Sequence, residues 1–330
     1  MKTYVILGGN GVFGVHLIIY LLRNHPDIHV IAVGRKPEKI RPFSLHLGID
    51  DARYEYHNIH IANFPDRVSD LIRDRQAEVV VNFAAHAEVA SSWRVPFHYY
   101  ETNLVALSKI LKNLEGENRL KKWVQIGSSE VYGAVEKPVD EEAPLRPSTP
   151  YSLSKMAADM HLEALHKAAG FPMNIIRPSN AYGPGQQLYR IIPRTALCAL
   201  LGRKLPLQGG GKAVKSYMHA QDLAAAIYLI AERAPLGKLY NAGPGEGVTI
   251  RRLVELVCEK IGAPFETVVE VVPDRLMQDS RYLLDSSRIA EDLDWHPTIG
   301  LDEGIAETTD WVRGHLDVLK DLPTEFHFEP

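Results

Sequence analysis

The sequence predicts an α/β protein with a doubly wound parallel sheet and a smaller second lobe, and three observations lead to this fold class. The first apolar run, at residues 3–7, leads into the glycine-rich turn GGNGVFG and then into an apolar helical pattern at 15–22. Short apolar runs then alternate with longer amphipathic stretches up to about residue 178, as in parallel strands joined by crossover helices. The chain has 330 residues, 45% of them hydrophobic, which is enough to bury a large core.

The expected elements follow one another along the chain. Strands are expected at 3–7, 29–33, 55–59, 77–83, 122–126 and 173–176. Helices are expected between them at 15–22, 64–75, 97–114 and from about 150 to Gly170, because glycine readily takes the left-handed conformation that ends a helix. Beyond the loop RPSNAYGPG, helices are expected at 192–201, 220–231, 250–261 and 301–312, with a strand near 238–241. Residues 320–330 are expected to pack poorly.

This pattern divides the chain into two parts. Residues 1–178 are expected to form the sheet domain, to which the chain returns at about 217–243. Residues 179–216 and 244–330 are expected to form a smaller α/β lobe that binds the substrate. Ligands of open α/β sheets bind outside the carboxyl ends of the strands, so side chains at those ends should share one crevice. The residues expected there are Gly8, Arg35, Asn58, Ala84 and Ser128.

The glycine-rich turn predicts a dinucleotide site and therefore a Rossmann-type domain. Gly8, Gly11 and Gly14 fit GxxGxxG between a strand and a helix, which is the context that such a motif requires. Small residues there permit a tight turn, close approach of a pyrophosphate, and tight packing of helix on strand. Asn10, Val12 and Phe13 of the same turn are counted with the predicted cofactor contacts. A glycine turn without a ligand is the alternative interpretation.

The end of the second predicted strand indicates which dinucleotide is bound. An acidic side chain there would bind the ribose 2'-hydroxyl of NAD, whereas an arginine accommodates the 2'-phosphate of NADP. This chain has Arg35 and Lys36 after Gly34, and no acid. The sequence therefore predicts NADP, with NAD as the alternative. A solvated loop with a basic tip would also explain the two cations.

Residues 127–155 hold the candidate catalytic groups, in the motifs GSSEVYG and YSLSK. A helix that starts at about Pro150 places Tyr151 and Lys155 one turn apart on the same face. A neighbouring ammonium favours the phenolate, so Tyr151 is expected to act as a general base below its ordinary pKa. A chain with 14 tyrosines can contain this spacing by chance, so the interpretation depends on the motifs upstream.

Composition excludes several other classes of protein. The 37 basic and 41 acidic residues include no basic block, so nucleic acid is not expected as a partner. Cys198 and Cys258 lie in apolar helical patterns without a CxxC motif, and neither a disulfide nor a metal site is predicted. The sequence starts without the pattern of a secretory signal and contains no apolar run long enough to span a membrane. A cytoplasmic protein is therefore expected.

Taken in order, these motifs resemble the extended short-chain dehydrogenases/reductases that act on nucleotide sugars, and within them the 4,6-dehydratases. The resemblance extends over nearly the whole chain. It is carried by GGNGVFG, NFAA at 82–85, ETN at 101–103, SSEVYG at 128–133, PYSLSK, RPSNAYGPG and DRLMQDSRYLLDSSRIAEDLDWHP.

The resemblance implies roles for individual residues. Tyr151 is implied as the base for oxidation at sugar C4 and Lys155 as a ligand of the nicotinamide ribose, with Ser128 assisting at the C4 hydroxyl. Glu130 is implied as the base at C5, and Ser129 stands where the dTDP-glucose branch has the aspartic acid that protonates the C6 hydroxyl. Further cofactor contacts are implied for Asn58, Ile59, Ala84, Ala85 and Asn103. Substrate contacts are implied for Glu88, Asn180, Lys215 and Arg281.

The implied activity is conversion of a nucleoside-diphosphate hexose to the 4-keto-6-deoxyhexose by a homodimer with tightly bound, regenerated cofactor. The pair Ser129-Glu130 favours the GDP-mannose branch, but it also occurs in UDP-glucuronate decarboxylases, and residues 274–282 favour the dTDP-glucose branch. Lys215-Ser216 replaces an Arg-Asp pair, and Asn58 a more usual aspartate. The alternatives are a C4 epimerase, a uronic acid decarboxylase, a 4-keto reductase, or a dinucleotide sensor without turnover.

Overall fold

The computed structural model describes residues 1–38, 42–49, 52–273 and 281–328. Its strands are β1 (Lys2–Leu7), β2 (Ile28–Gly34), β3 (Tyr54–Asn58), β4 (Val79–Asn82), β5 (Lys122–Ile126), β6 (Met173–Pro178), β7 (Asn180–Tyr182), β8 (Leu205–Gln208), β9 (Val214–Lys215), β10 (Tyr217–His219), β11 (Leu239–Ala242), β12 (Val248–Thr249), β13 (Val269–Val272) and β14 (Arg281–Tyr282). Its helices are α1 (Val12–Asn24), α2 (Pro65–Asp74), α3 (Val89–Ser92), α4 (Pro96–Tyr100), α5 (Leu107–Asn113), α6 (Pro150–Ala169), α7 (Ile191–Leu201), α8 (Ala220–Arg233), α9 (Ile250–Ile261), α10 (Phe265–Val268), α11 (Ser287–Leu293), α12 (Leu301–Gly314) and α13 (Leu316–Leu319). A π-helical turn (Glu101–Ala106) joins α4 to α5, and 3₁₀ turns span Leu45–Gly48, Ser129–Tyr132 and Gly209–Gly211.

Within the described residues, seven strands form one parallel sheet in the order β11-β6-β5-β4-β1-β2-β3. The chain leaves β1 toward β2 and leaves β4 toward β5, although β1 and β4 are neighbours. The strand order therefore reverses between them, and a crevice opens outside their carboxyl ends. The doubly wound α/β class expected from the sequence is confirmed.

The sheet is covered on both faces, which explains why its strands read as continuous apolar runs. In β1, Tyr4 and Ile6 pack with side chains of α1 and α8, whereas Val5 and Leu7 pack with side chains of α2, α5 and α6. Both α8 and β11 come from the part of the chain that follows β10. β11 extends the sheet by pairing with β6, and α8 lies against α1.

A second core lies outside the sheet, between α7, α9 and α12. Its buried side chains include Ile192, Leu253, Ile305 and Trp311. Short strands pair around it: β7 with β10, β8 with β13, and β9 with both β12 and β14. This second body is built from residues that follow β6 in the chain.

Two expectations about local structure are wrong. The helix expected at 97–114 is not uniform, because the π-helical turn Glu101–Ala106 interrupts it, and such turns occur frequently at functional sites. Residues 320–328 are not poorly packed throughout, because Leu322, Phe326 and Phe328 contact other parts of the protein, and residues 329–330 lie outside the described residues. The apolar side chains of this last segment have partners that are distant in sequence.

Candidate active site

The turn between β1 and α1 brings two strand ends into contact. Gly8 has a φ of +78°, and a Cβ built on it would lie 2.8 Å from the backbone nitrogen of Ala84, after β4. A Cβ on Gly14 would lie 2.7 Å from the Gly8 carbonyl oxygen, so α1 packs directly on the turn. No side chain caps α1 at its N-cap residue, Gly11. A close backbone and an uncapped helix N-terminus fit the pyrophosphate of a dinucleotide.

The remaining predicted cofactor residues of α1 and β3 differ in how they are placed. Val12 is buried and Phe13 packs against the core, so their side chains belong to the interior rather than to the crevice. Asn58 is exposed at the end of β3. Ile59 is buried, and its backbone nitrogen donates to the Gly34 carbonyl oxygen at 2.9 Å.

The loop after β2 carries the two cations expected to select the cofactor. Arg35 and Lys36 are both exposed. The Asn10 side-chain amide donates to the Pro37 carbonyl oxygen at 2.9 Å, and the Tyr56 hydroxyl donates to the Lys36 carbonyl oxygen. Asn10 therefore holds this loop against the glycine turn, a role that the sequence did not indicate.

Asn103 connects the loop after β4 to α6. Its side-chain oxygen accepts from the His86 backbone nitrogen at 2.8 Å, and its amide donates to the His86 carbonyl oxygen at 3.0 Å and to the Ser154 hydroxyl at 2.9 Å. Ala84 and Ala85 are half-buried in that loop. The Asn103 amide comes from the π-helical turn, and we infer that the turn sets the direction in which it points.

The candidate catalytic groups meet where β5 ends and α6 begins. Ser128 caps the 3₁₀ turn Ser129–Tyr132, accepting from the Glu130 backbone nitrogen at 3.2 Å, and its hydroxyl also hydrogen-bonds to Tyr151. Thr149 opens α6 with a reciprocal cap: its hydroxyl accepts from a backbone nitrogen of the first turn, which fixes the entry of Tyr151. The structure thus brings Ser128, Glu130 and Tyr151 together, with Ser129 buried beside them.

In the chain by itself, the pKa of Tyr151 is raised, and the acidification expected from Lys155 is not seen. Burial raises the pKa of Tyr151 above its ordinary value, and the charge of Glu130 raises this pKa further, while the Ser128 hydrogen bond and Arg190 lower it. Burial lowers the pKa of Lys155 to about 8, against the opposing charge of Asp159. The Lys155 ammonium donates to the Ile126 carbonyl oxygen at 2.5 Å. Desolvation therefore outweighs charge attraction at both groups.

A buried polar network supports this end of the crevice. The Asp159 carboxylate accepts from the Arg177 guanidinium at 2.9 Å, with both side chains almost fully buried. Arg177 also donates to the Tyr132 hydroxyl at 2.9 Å, and that hydroxyl donates to Asn241 at 2.9 Å. The network joins α6, β6, the 3₁₀ turn and β11. Sequence reasoning missed it, although the i+4 spacing of Asp159 from Lys155 could have indicated its first member.

Glu88, a predicted substrate residue, has a structural use for its carboxylate. Its two oxygens accept from the backbone nitrogens of Ala90 at 3.2 Å and Ser91 at 2.6 Å, and so cap the short helix α3. The Glu88 carbonyl oxygen accepts from the Tyr99 hydroxyl. The carboxylate therefore organises the loop after β4, whatever it contacts in addition.

The other substrate candidates lie on the second body. Asn180 donates from its side chain to the Ser216 carbonyl oxygen at 3.3 Å. Lys215 is buried, with its ammonium 3.7 Å from the centre of the Tyr282 ring, and is therefore not a solvated surface charge. Arg281 lines a cavity of about 410 Å³. The other residues that line this cavity are Val135, Glu136, Lys137, Lys212 and Val214. Residues 274–280 of the predicted nucleotide segment lie outside the described residues.

Arg190 is a further cation near the candidate catalytic groups. It stands at the start of α7, and its charge lowers the pKa of Tyr151, Tyr99 and Tyr217 against the effect of burial. Sequence reasoning missed Arg190, and only its position a few residues after RPSNAYGPG could have indicated it.

The described residues contain neither a candidate metal site nor a candidate membrane-spanning helix. In ranges 1–38, 42–49, 52–273 and 281–328, no His, Cys, Asp and Glu side chains form a group of three that could hold a metal ion. No helix in that part of the chain has the length and apolar character needed to cross a bilayer.

The chain is similar in sequence and in structure to known nucleotide-sugar 4,6-dehydratases. A family model described as GDP-mannose 4,6 dehydratase matches residues 5–308. The dTDP-glucose 4,6-dehydratase of Streptomyces griseus is 31% identical over 319 residues, covering 96% of this chain and 95% of the relative. The dTDP-glucose 4,6-dehydratase of Bacillus anthracis, solved in complex with NAD, superposes with a TM-score of 0.87 at 29% identity, covering 96% of this chain and 98% of that one.

Plant relatives are longer than this chain. A trifunctional UDP-glucose 4,6-dehydratase/UDP-4-keto-6-deoxy-D-glucose 3,5-epimerase/UDP-4-keto-L-rhamnose-reductase of Arabidopsis thaliana is 26% identical over 314 residues. The chain spans about half of that protein, since the match covers 94% of the chain and 47% of the relative.

Proposed function

This chain belongs to the GDP-mannose 4,6 dehydratase family, and we propose that it converts a nucleoside-diphosphate hexose to the 4-keto-6-deoxyhexose. One observation carries the proposal: Ser128, Glu130 and Tyr151 interact with one another one helical turn from Lys155. A phenol, a carboxylate and a hydroxyl at one point can perform successive proton transfers at neighbouring carbons. The reaction eliminates water and is redox-neutral, so the enzyme is a hydro-lyase.

The cofactor is a nicotinamide dinucleotide, and we assign different residues of this chain to its different parts. Gly8 and the N-terminus of α1 would take the pyrophosphate, Asn58 and Ile59 would lie near the adenine, and Ala84 and Ala85 would lie along the cofactor. Tyr151 and Lys155 hold the nicotinamide ribose. When bound, a nicotinamide ring supplies reversible storage of one hydride, which keeps the overall reaction redox-neutral.

Oxidation at C4 requires the C4 hydroxyl proton to leave. Tyr151 accepts it, and Ser128, hydrogen-bonded to the Tyr151 hydroxyl, orients the transfer. The raised pKa of Tyr151 makes the phenol a poor acid in the resting chain, so a positive charge must offset burial at the moment of transfer. Arg190 acts in that direction.

Elimination of water uses the C5 proton and the C6 hydroxyl. Once C4 is a ketone, the C5–H bond is acidified and Glu130 can remove the proton. The C6 hydroxyl leaves as water with one proton, and C5 later regains a proton from solvent. A serine hydroxyl is a weak acid, so Glu130, protonated by C5, is the group that returns this proton to the C6 oxygen, with Ser129 as a hydrogen-bond relay.

Substrate binding is assigned to the second body. Lys215 is desolvated beside Tyr282, and Arg281 lines the neighbouring cavity, so both suit the diphosphate of a nucleotide sugar. Asn180 contributes an amide near them. Glu88 acts mainly through the loop that it caps.

The activity is tested by incubating the protein with UDP-, dTDP-, GDP- and CDP-hexoses in deuterated water, followed by mass spectrometry. We expect one nucleotide sugar to lose water and to gain deuterium at C5. Formation of an isomer of the same mass, separated by chromatography, would indicate epimerisation, release of carbon dioxide would indicate decarboxylation, and consumption of reduced cofactor would indicate a reductase. No change with any sugar would favour a dinucleotide sensor.

We also propose that Arg35 favours NADP over NAD, because an arginine after the second strand suits the 2'-phosphate. The Bacillus anthracis relative was solved with NAD, so NAD is the alternative cofactor that the test must distinguish from NADP. Arg35→Asp should weaken NADP binding about tenfold and leave NAD binding no weaker than in the wild type, because a charged contact to the 2'-phosphate is lost and an acidic side chain suits the ribose 2'-hydroxyl. Lys167→Asp, with the same charge change on an exposed part of α6, is the control. A purified protein that carries NAD and an R35D variant with unaltered NADP affinity would refute this preference.

A homodimer is proposed from an exposed apolar surface. Large side chains are exposed just after α3 and on α4, the π-helical turn and α6, which lie next to one another. They are Trp93, Phe97, Val105, Leu153 and Met160. Such a patch is typical of a protein interface. Light scattering should give twice the chain mass, and Met160→Glu should shift the protein toward monomer. Location in the cytoplasm stays a prediction.

A further inference from the structure

The segment 322–328 lies on the protein surface with alternate residues facing inward. Leu322, Thr324, Phe326 and Phe328 are half-buried, whereas the intervening residues are exposed. This period of two is the pattern of an extended chain laid on a surface. We call residues 322–328 the strap.

The strap connects the second body to the sheet domain. Leu322 packs against the core formed by α7, α9 and α12. Phe326 packs edge-on against Tyr189, the residue before Arg190, with ring centres 5.1 Å apart. Phe328 then reaches the loop after β4 and α4, with its ring centre 5.0 Å from that of His86 and 5.3 Å from that of His98. The strap therefore crosses the crevice.

Both aromatic contacts of the strap adjoin Tyr151. The Tyr99 ring lies 6.4 Å from the Phe328 ring on one side and 6.4 Å from the Tyr151 ring on the other. On the other side of the crevice, Phe326 packs against Tyr189, and the neighbouring Arg190 lowers the pKa of Tyr151 through its charge. Burial lowers the pKa of His86 to about 4, so the imidazole under Phe328 is neutral near pH 7. Phe328 thus completes an aromatic wall one residue away from the proposed base.

We propose that the strap closes the sugar end of the crevice and that Phe328 is a specificity-determining residue for the hexose. This inference rests on the proposed function, because Tyr151 defines which end receives the sugar. The apolar C–H face of a hexose packs well on aromatic rings. A wall that excludes water also strengthens the hydrogen bonds and charges acting inside the site. The nucleotide is held elsewhere, near Lys215 and Arg281, so the strap acts on the sugar and not on the nucleotide.

The test compares two ligands on the full chain with its cofactor bound. The ligands are the nucleotide sugar bound most tightly among dTDP-glucose, UDP-glucose, GDP-mannose and CDP-glucose, and its own nucleoside diphosphate. Binding is measured in the Glu130→Gln background so that turnover does not interfere. Phe328→Ala should weaken binding of the nucleotide sugar about five- to tenfold and binding of the nucleoside diphosphate by less than about twofold, as expected for loss of one aromatic contact.

His327→Ala is the matched control, because this neighbour in the strap faces solvent, and it should leave both affinities unchanged. Hydrogen exchange supplies a second measurement. The nucleotide sugar should slow the exchange of backbone amide hydrogens in residues 322–328, and the nucleoside diphosphate should not. An equal loss of affinity for both ligands in F328A, or the same affinities in F328A and H327A, would overturn the inference. A wild-type protein that binds the nucleotide sugar and releases no water would refute the proposed dehydratase and leave the two-ligand comparison valid.

Discussion

The two ends of the crevice are built in different ways. At the β1–α1 turn the site consists of backbone, and Gly8 and Gly14 matter because side-chain atoms are absent. At the β5–α6 junction it consists of side chains, whose protonation depends on burial and on buried neighbours. The first end is therefore sensitive to added atoms, and the second to lost charges. Substitutions can separate the two ends, because each kind should affect one and spare the other.

Glu130→Gln is expected to have the largest effect and to be confined to the catalytic end. Removing a general base lowers turnover by about 10²- to 10⁴-fold, while the glycine turn is untouched and cofactor should stay bound. The measurement is release of water from the nucleotide sugar, together with the cofactor content of the purified protein. Glu115→Gln, an exposed carboxylate at the end of α5, is the control. Turnover like that of the wild type would exclude Glu130 as the base.

Asp159→Ala should be the most damaging change to the support of the catalytic end. It leaves the Arg177 guanidinium buried without its carboxylate, which costs about 3–5 kcal/mol of unfolding free energy. Denaturant unfolding gives this value. Asp310→Ala removes an exposed ion pair with Arg313 and should cost less than about 1 kcal/mol. If the two variants lose similar stability, the buried pair does not support the site as described.

Gly8→Ala tests the backbone end. The new Cβ would lie 2.8 Å from the Ala84 backbone nitrogen, and the alanine would have to adopt a φ of +78°. We expect dinucleotide affinity to fall by about ten- to hundredfold, as strain of this size predicts. Gly116→Ala is a matched control, because Gly116 has a φ of +77° with nothing within 4 Å of its Cβ. Equal losses in both variants would show that conformation, and not the close approach to Ala84, determines the effect.

The pH dependence should be confined to the catalytic end. Lys155 has a pKa of about 8, below the ordinary value for lysine, so it is charged below that pH and neutral above it. If the ammonium is needed, kcat/KM should fall about tenfold for each pH unit above about 8. Dinucleotide affinity measured over the same range should change little. A profile that stays flat to pH 10 would contradict a requirement for charged Lys155.

The sequence predicted the backbone end well, because a glycine turn between a strand and a helix is a local signal. It also predicted which residues meet at the catalytic end, because Tyr151 and Lys155 are one helical turn apart. It did not predict their electrostatics, since desolvation depends on packing that only the fold creates. Asp159 and Arg177 belong to different elements and become partners only when α6 packs beside β6.

The strap illustrates a second limit. Its apolar side chains alternate over too few residues to indicate what they pack against, and their partners Tyr189, His86 and His98 lie far away in sequence. The π-helical turn had no sequence signal either, because ETN lies within an otherwise regular helical pattern. Both features depend on contacts between distant parts of the chain, which a single sequence does not reveal.

The return of α8 to the sheet has a consequence for synthesis of the protein. Leu17, Ile18 and Leu21 of α1 share a core cluster with Leu223 and Ile227 of α8, and β11 adds the sheet edge beside β6. When only the first 178 residues have left the ribosome, the nascent chain therefore exposes the apolar face of α1 and the unpaired outer edge of β6. The nascent chain must wait for about sixty more residues before that half of the core can close, at about 5–20 residues per second. A chaperone that recognises exposed apolar helix should bind this intermediate and release it once α8 emerges.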